Sequence, residues 1–99
     1  MMTRPFCPSG DPINHTVTGS SVAVKLVDVP GNQQVRLHNR STAEVAVKFG
    51  TSGVSVTADG MTYPAGALEV LTLPPDCTHI AIIGTASSGK FQIQLGVGW

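Results

Sequence analysis

The sequence predicts an all-β protein, a small antiparallel β-sandwich or jelly roll that follows an extended N-terminal arm. About seven short segments alternate in hydrophobicity or are wholly apolar, and turn residues separate them at intervals of roughly 8–12 residues. No segment shows the apolar periodicity of an amphipathic helix. The pattern therefore favours two packed layers of short strands.

The prediction depends most on residues 63–84, at the centre of the chain. Within 67–73, Leu68, Val70 and Thr72 alternate with a second set of side chains. That second set is Glu69, Leu71 and Leu73. After a Pro-led turn, residues 79–83 form an almost wholly apolar run, which is typical of a strand that is covered on both faces.

Residues 1–20 are rich in Pro, Gly, Ser and Thr and show no persistent pattern. We predict an extended arm over 1–20, either disordered or ordered by a neighbouring molecule, and a β-sandwich domain over 21–99. Isolated apolar residues of the arm and aromatic residues of the domain are candidate interface residues: Phe6, Ile13, Val17, Tyr63 and Trp99.

Each predicted strand of the domain is recognised by its alternation or by flanking turn residues. The segments are 21–27, 34–39, 44–49, 54–57, 67–73, 79–83 and 90–95. In 34–39, Val35 and Leu37 share one face; in 44–49, alternate residues from Val45 do the same. Four polar residues separate these two strands, which predicts a β-hairpin.

Composition limits the class of function. The 99 residues indicate a single domain, and six basic and six acidic residues give a formal net charge of zero. Scattered basic residues argue against nucleic-acid binding. Charged residues make up 12% of the chain, about half the usual share. We expect other protein copies to cover part of so weakly charged a surface, although a monomer with a Ser/Thr-rich surface stays open.

No stretch approaches the roughly 18 apolar residues of a membrane span, and the N-terminus lacks the apolar core of a signal peptide. We therefore expect synthesis in a cytoplasm and no membrane partner. In that compartment Cys7 and Cys77 are expected to be free thiols, although two cysteines permit one disulfide.

Chemical motifs are weak. Residues 84–90 match G-x-x-x-x-G-K, but Phe91 and a strand follow where a phosphate-binding loop needs Ser or Thr and a helix. The three histidines are widely separated in sequence, and a zinc site would need Cys7 and His15 to join Cys77 and His79. We expect no catalytic residue, cofactor, metal or small-molecule substrate.

Three segments resemble small structural proteins of tailed bacteriophages, especially capsid decoration (cement) proteins. Residues 35–50 resemble a strand, an N-x-S/T turn and a second strand ending in Phe-Gly. Residues 63–71 resemble a Pro-Ala-Gly turn that leads into a strand. Residues 79–84 and 91–96 resemble a closing hairpin. The resemblance covers about two thirds of the chain by pattern and excludes the arm.

The resemblance implies a β-sandwich virion protein that forms a homotrimer and bridges major capsid subunits on the phage head. It would be made in the cytoplasm of the bacterial host. Two alternatives stay open: another particle component, such as a head–tail connector, tail or head-fibre base protein, and a ligand- or glycan-binding β-sandwich. The second alternative has few exposed aromatic residues to use, because the chain has one Trp and one Tyr.

Overall fold

The computed structural model describes residues 7–8, 10–28, 33–84 and 89–97, and these contain nine β-strands and no helix. In chain order the strands are β1 (Cys7–Pro8), β2 (Ile13–Thr16), β3 (Val22–Lys25), β4 (Gln34–Asn39), β5 (Val45–Gly50), β6 (Met61–Tyr63), β7 (Leu68–Thr72), β8 (His79–Ile83) and β9 (Lys90–Val97). Consequently, no membrane-crossing helix occurs in the described part of the chain.

The strands form two antiparallel sheets. In sheet A, β7 pairs with β4, β4 pairs with β9, and both β2 and β1 pair with the far edge of β9. In sheet B the order is β6, β5, β8 and β3. The two sheets pack face to face around one core. The predicted all-β class is confirmed.

The core lies between the sheets and is mainly aliphatic. It consists of Val17, Leu26, Val35, Leu37, Val45, Val47, Tyr63, Leu73, Ile80, Ile82, Phe91 and Ile93. The alternation of β4, β5 and β9 predicted their inward faces correctly. The rings of Tyr63 and Phe91, from sheets B and A, meet with centroids 6.1 Å apart at an interplanar angle of 56°, a favourable tilted arrangement.

The predicted hairpin between 34–39 and 44–49 is wrong, although both strands exist. β4 pairs with β7 and β9, whereas β5 pairs with β6 and β8, so the connection crosses from sheet A to sheet B. The closing hairpin implied by the phage resemblance fails in the same way, because β8 and β9 also lie in different sheets. Alternation identifies a half-buried strand but carries no information on which strand is its neighbour.

A buried amide explains the crossing. Asn39 ends β4 with its side chain fully inside the sandwich. Its Nδ2 donates to the carbonyl oxygens of Ala43 and Tyr63, each at 2.9 Å. Its Oδ1 accepts from the amide nitrogen of Ser41 at 3.0 Å and from the Ser41 hydroxyl at 2.5 Å. All four hydrogen-bonding positions of the amide are therefore used, and the turn is held between the sheets.

Part of the predicted arm belongs to sheet A. β2 pairs with β9 from Ile13 opposite Ile93 to Thr16 opposite Lys90, and β1 pairs with the other end of β9. Val17 follows β2 and lies in the core. These residues are thus ordered by their own chain, while residues 1–6 lie outside the described residues.

The predicted strand 54–57 is not a strand, and β6 was not predicted. Instead, the segment 51–60 between β5 and β6 folds over the outer face of sheet B. Val54 and Val56 pack there against Ala46, Ala81 and Ile83. The amide nitrogen of Val56 donates to the Ser21 hydroxyl at 3.0 Å, which attaches the segment beside β3. This cover explains why Ala46 and Ala81, on the outward side of their strands, are buried.

We predict that Asn39→Ala lowers the free energy of unfolding by about 3 kcal/mol, because it leaves the Tyr63 carbonyl and the Ser41 amide without this partner. Urea unfolding followed by circular dichroism measures the change. The matched control is Asn14→Ala: Asn14 is exposed and accepts one hydrogen bond, from Gln92, so its loss should change stability by less than about 0.5 kcal/mol. Equal effects of the two substitutions would contradict the role given to Asn39.

A second prediction concerns the close approach of the segment 51–60 to sheet B. A Cβ at Gly60 would lie 2.5 Å from Val56 Cγ2 and 3.0 Å from the Val47 carbonyl oxygen. We expect Gly60→Ala to lower the free energy of unfolding by about 1–3 kcal/mol. Gly53→Ala is the control, because nothing lies within 4 Å of a Cβ there. Thermal unfolding that shows Gly60→Ala as stable as Gly53→Ala would contradict this packing.

Candidate assembly surface

The sandwich has two sides where both sheets end. The first, which we call the β6–β7 side, is formed by the free edges of β6 in sheet B and β7 in sheet A. The second, the β2–β3 side, is formed by the outer edges of β1 and β2 in sheet A and of β3 in sheet B. No described strand pairs with these edges, so their outward backbone groups are available to another strand.

The β6–β7 side carries exposed apolar side chains. The structure's described residues include four large exposed hydrophobic side chains, and three of them lie here: Met61 is 45% exposed, Leu68 58% and Val70 44%. The fourth, Val22, lies on the β2–β3 side. An exposed strand edge that also carries apolar side chains is a site for association with another protein.

The direction of the β7 side chains follows from the register. Leu37 lies opposite Glu69 and Val35 opposite Leu71, so these residues of β7 lie on the side that faces sheet B, where Leu71 is partly buried and Glu69 stays exposed at the margin. Arg36 lies opposite Val70 and His38 opposite Leu68, so both apolar residues of β7 point to the outer face of sheet A. The alternation in the sequence assigned the residues of 67–73 correctly to two opposite faces, but both faces are largely apolar. For that reason the exposed set could not be chosen from the sequence.

The outer face of sheet A continues from Leu68 and Val70 into a field of polar side chains. Arg36 Nη2 donates to Gln92 Oε1 at 3.1 Å, and Gln92 Nε2 donates to Asn14 Oδ1 at 3.2 Å. Arg36 Nε is buried and has no hydrogen-bond partner among the described residues. Side chains from β2, β9 and β4 are thus linked across the sheet, and this part of the face is rich in amides.

Tyr63 and Glu69 join the two sheets on the β6–β7 side. The Tyr63 hydroxyl donates to Glu69 Oε1 at 2.6 Å. Burial, together with this hydrogen bond and the nearby carboxylate, raises the pKa of Tyr63 well above its ordinary value of 10.0. The pair fixes the spacing of β6 and β7, and it keeps a carboxylate on this side.

The predicted interface residues are differently placed. Val17 and Tyr63 are buried in the core of their own subunit, and Ile13 is partly buried and packs against that core. Phe6 and Trp99 lie outside the described residues. A role for these five residues in an interface stays a prediction. Sequence reasoning missed the exposed residues of β7 and Met61 of β6.

Other titratable groups are spread over the surface. Burial, and to a smaller extent the charge of Lys90, lowers the pKa of His15, whose Nε2 has no hydrogen-bond partner among the described residues. Asp28 accepts a hydrogen bond from Lys25 in an exposed ion pair, which lowers the pKa of Asp28. The thiol of Cys77 is free and half-buried.

Two clefts adjoin the segment 51–60. The larger, of about 430 Å3, is lined by Lys48, Ser55, Val56, Thr57, Asp59 and Gly60. The smaller, of about 180 Å3, is lined by Glu44, Ala46, Ala58, Ile83 and Gly84. In the described ranges no three His, Cys, Asp or Glu residues come together as metal ligands would.

The fold places the chain in the class of two-sheet antiparallel β-sandwiches. No protein-family model matches the sequence, and the search of curated proteins gave no match. Among solved structures, the chain is similar to a Bacillus endospore appendage protein from a family of disulfide-linked pili, with a TM-score of 0.60 and 17% sequence identity. The similarity covers 96% of this chain and 89% of that chain, and it shows a shared fold.

The Tyr63–Glu69 contact predicts a loss of stability at alkaline pH. Because folding raises the pKa of Tyr63, its contribution is complete below pH 10.0 and is lost progressively as the pH rises above that value. We expect Tyr63→Phe to lower the free energy of unfolding by about 1 kcal/mol at neutral pH. Above pH 10.0 the free energy of unfolding of this variant should fall less steeply with pH than that of the unmodified chain. Urea midpoints measured as a function of pH check both effects.

The same titration can be read spectroscopically, because Tyr63 is the only tyrosine of the chain. Tyrosinate absorbance should appear in step with alkaline unfolding. Ionisation of Tyr63 near its ordinary pKa in the folded protein would contradict the assignment.

Proposed function

We propose that this chain is a non-enzymatic structural protein that works as one of many identical subunits. The observation that carries the proposal is the β6–β7 side, where a free strand edge coincides with the exposed Met61, Leu68 and Val70. Burying such side chains stabilises an assembly by about 25 cal/mol per Å2 of apolar area removed from water. A formal net charge of zero opposes that association only weakly.

In its more specific form, the proposal is a capsid decoration protein of a tailed bacteriophage. The support is the resemblance of residues 35–50, 63–71, 79–84 and 91–96 to such proteins, together with the confirmed β-sandwich class; the two hairpins that the resemblance implied are not formed. The protein would form homotrimers, bridge major capsid subunits and strengthen the head against the pressure of packaged DNA. It would be made in the cytoplasm of the bacterial host and act in the virion.

A second candidate is a filament subunit. It is favoured by the shared fold with the Bacillus appendage protein, which belongs to a family of pili. The two candidates use the same physics, the burial of strand edges and apolar side chains between copies. They differ in symmetry, because a closed threefold assembly suits a head surface and an open series of contacts gives a filament.

Assembly and head binding provide the test. Purified protein should sediment as an oligomer at micromolar concentration, and it should cosediment with phage heads assembled without it. Added protein should also raise the temperature at which those heads release DNA. Electron microscopy then distinguishes the candidates, since trimers on heads support decoration and free filaments support the second candidate. A protein that stays monomeric, leaves the heads unbound and forms no filament would overturn the proposal.

A further inference from the structure

Both sheets of the sandwich end on the same two sides, and this arrangement suggests how copies meet. We propose that a second copy of this chain docks head to tail, with its β2–β3 side on the β6–β7 side of the first. In this contact β7 pairs with β2 of the next copy, which extends sheet A, and β6 pairs with β3 of the next copy, which extends sheet B. The inference rests on the proposed function, because it names the partner and the surfaces through which the subunits assemble.

Strand direction permits the contact in both sheets at once. Every pairing in sheets A and B is antiparallel. Each sheet has four columns: β7, β4, β9 and β2 with β1 in sheet A, and β6, β5, β8 and β3 in sheet B. With an even number of columns, the two outer strands of a sheet run in opposite directions. A copy placed beside the first in the same orientation therefore extends both sheets with antiparallel pairs.

The backbone groups on these edges point outwards at known residues. The Asn39 amide donates to the Ala67 carbonyl and the Leu73 amide donates to the Gln33 carbonyl. The odd-numbered residues around β7 thus face β4, so the N–H and C=O groups of Leu68, Val70 and Thr72 face outwards. These are also the residues whose side chains lie on the outer face.

The opposite side has matching free groups. The Val17 amide donates to the Gly89 carbonyl, so odd-numbered residues of β2 face β9, and Asn14 and Thr16 face outwards. The Leu26 amide donates to the Thr78 carbonyl, so even-numbered residues of β3 face β8. Ala23 and Lys25 therefore present their backbone groups to the free edge.

Charge favours this contact over one between two β6–β7 sides. Within β6 and β7 the only ionisable acid or base, apart from Tyr63, is Glu69. Within β2 and β3 the corresponding groups are His15 and Lys25. A two-fold contact would bring Glu69 towards the Glu69 of the other copy, whereas a head-to-tail contact brings it towards Lys25, which Asp28 already partners, and so avoids that repulsion. Because head-to-tail contacts are heterologous, they close into a ring or continue into a filament.

The experiment blocks each side separately. Leu68→Lys with Val70→Lys places two cations on the exposed residues of β7. Asn14→Glu with Ala23→Glu places two anions on β2 and β3, where both side chains are exposed, and these would face Glu69 of the next copy. The controls are Thr51→Lys with Ser52→Lys and Thr51→Glu with Ser52→Glu, equal changes of charge at exposed positions of the segment 51–60. Circular dichroism and thermal unfolding confirm that each double variant is folded, and sedimentation velocity measures assembly.

We expect each blocked variant alone to assemble at least about tenfold more weakly than the unmodified chain, and the controls to assemble normally. An equimolar mixture of the two blocked variants should form a dimer, because each supplies the side that the other lacks. Val70→Pro tests the backbone pairing of β7 by itself, because it removes an outward N–H group without removing a hydrogen bond to β4. It should weaken assembly, while Val70→Thr retains that N–H and should assemble more strongly than Val70→Pro.

Two outcomes overturn the inference while the proposed function stands. One is assembly of Leu68→Lys with Val70→Lys at the strength of the unmodified chain. The other is a closed dimer of Asn14→Glu with Ala23→Glu by itself, which would show a two-fold contact between β6–β7 sides. If the unmodified chain does not assemble at all, the proposed self-assembly fails, and the inference fails with it.

Discussion

The fold depends on a polar group where an apolar one would be expected. Asn39 lies at the end of β4 among core side chains, and its amide binds the backbone of Ala43 and Tyr63 and both donors of Ser41. Its own backbone continues the ladder, accepting from Gly66 and donating to Ala67. One residue thereby connects the end of β4, the crossing to sheet B, the end of β6 and the start of β7. Satisfied buried amides specify a structure because alternatives would leave them unpaired.

This amide also marks where reasoning from sequence succeeds and fails. The fold class, the inward residues of β4, β5 and β9 and the burial of β8 on both faces followed from alternation and apolar runs, because burial of one or both faces is a local pattern. Strand pairing did not follow. A four-residue polar connection is compatible with both a hairpin and a crossing between sheets. The crossing is stabilised here by contacts of Asn39 with residues that are remote in sequence, such as Tyr63.

The candidate surface was less accessible to sequence analysis than the fold. Both faces of β7 are largely apolar, and only the pairing with β4 shows that Leu68 and Val70 point outwards. β2 could not be recognised from the sequence, because its alternation of partly buried and exposed residues extends over only four residues within a Pro- and Gly-rich segment. Val54 and Val56 alternate as a strand would, yet they serve to cover sheet B. In each case the missing information is tertiary: which surface the neighbouring segment occupies.

The cover provided by the segment 51–60 has a consequence for any layer built from this subunit. One face of the sandwich is covered by its own chain, with Val54 and Val56 turned inwards, whereas the other exposes polar side chains, including Arg36 and Gln92, beside the apolar Leu68 and Val70. Copies that share an orientation would therefore form a layer with two different surfaces, one covered by the turns of the segment 51–60 and one of polar side chains with an apolar margin. The two faces of the sandwich therefore differ already in the single subunit.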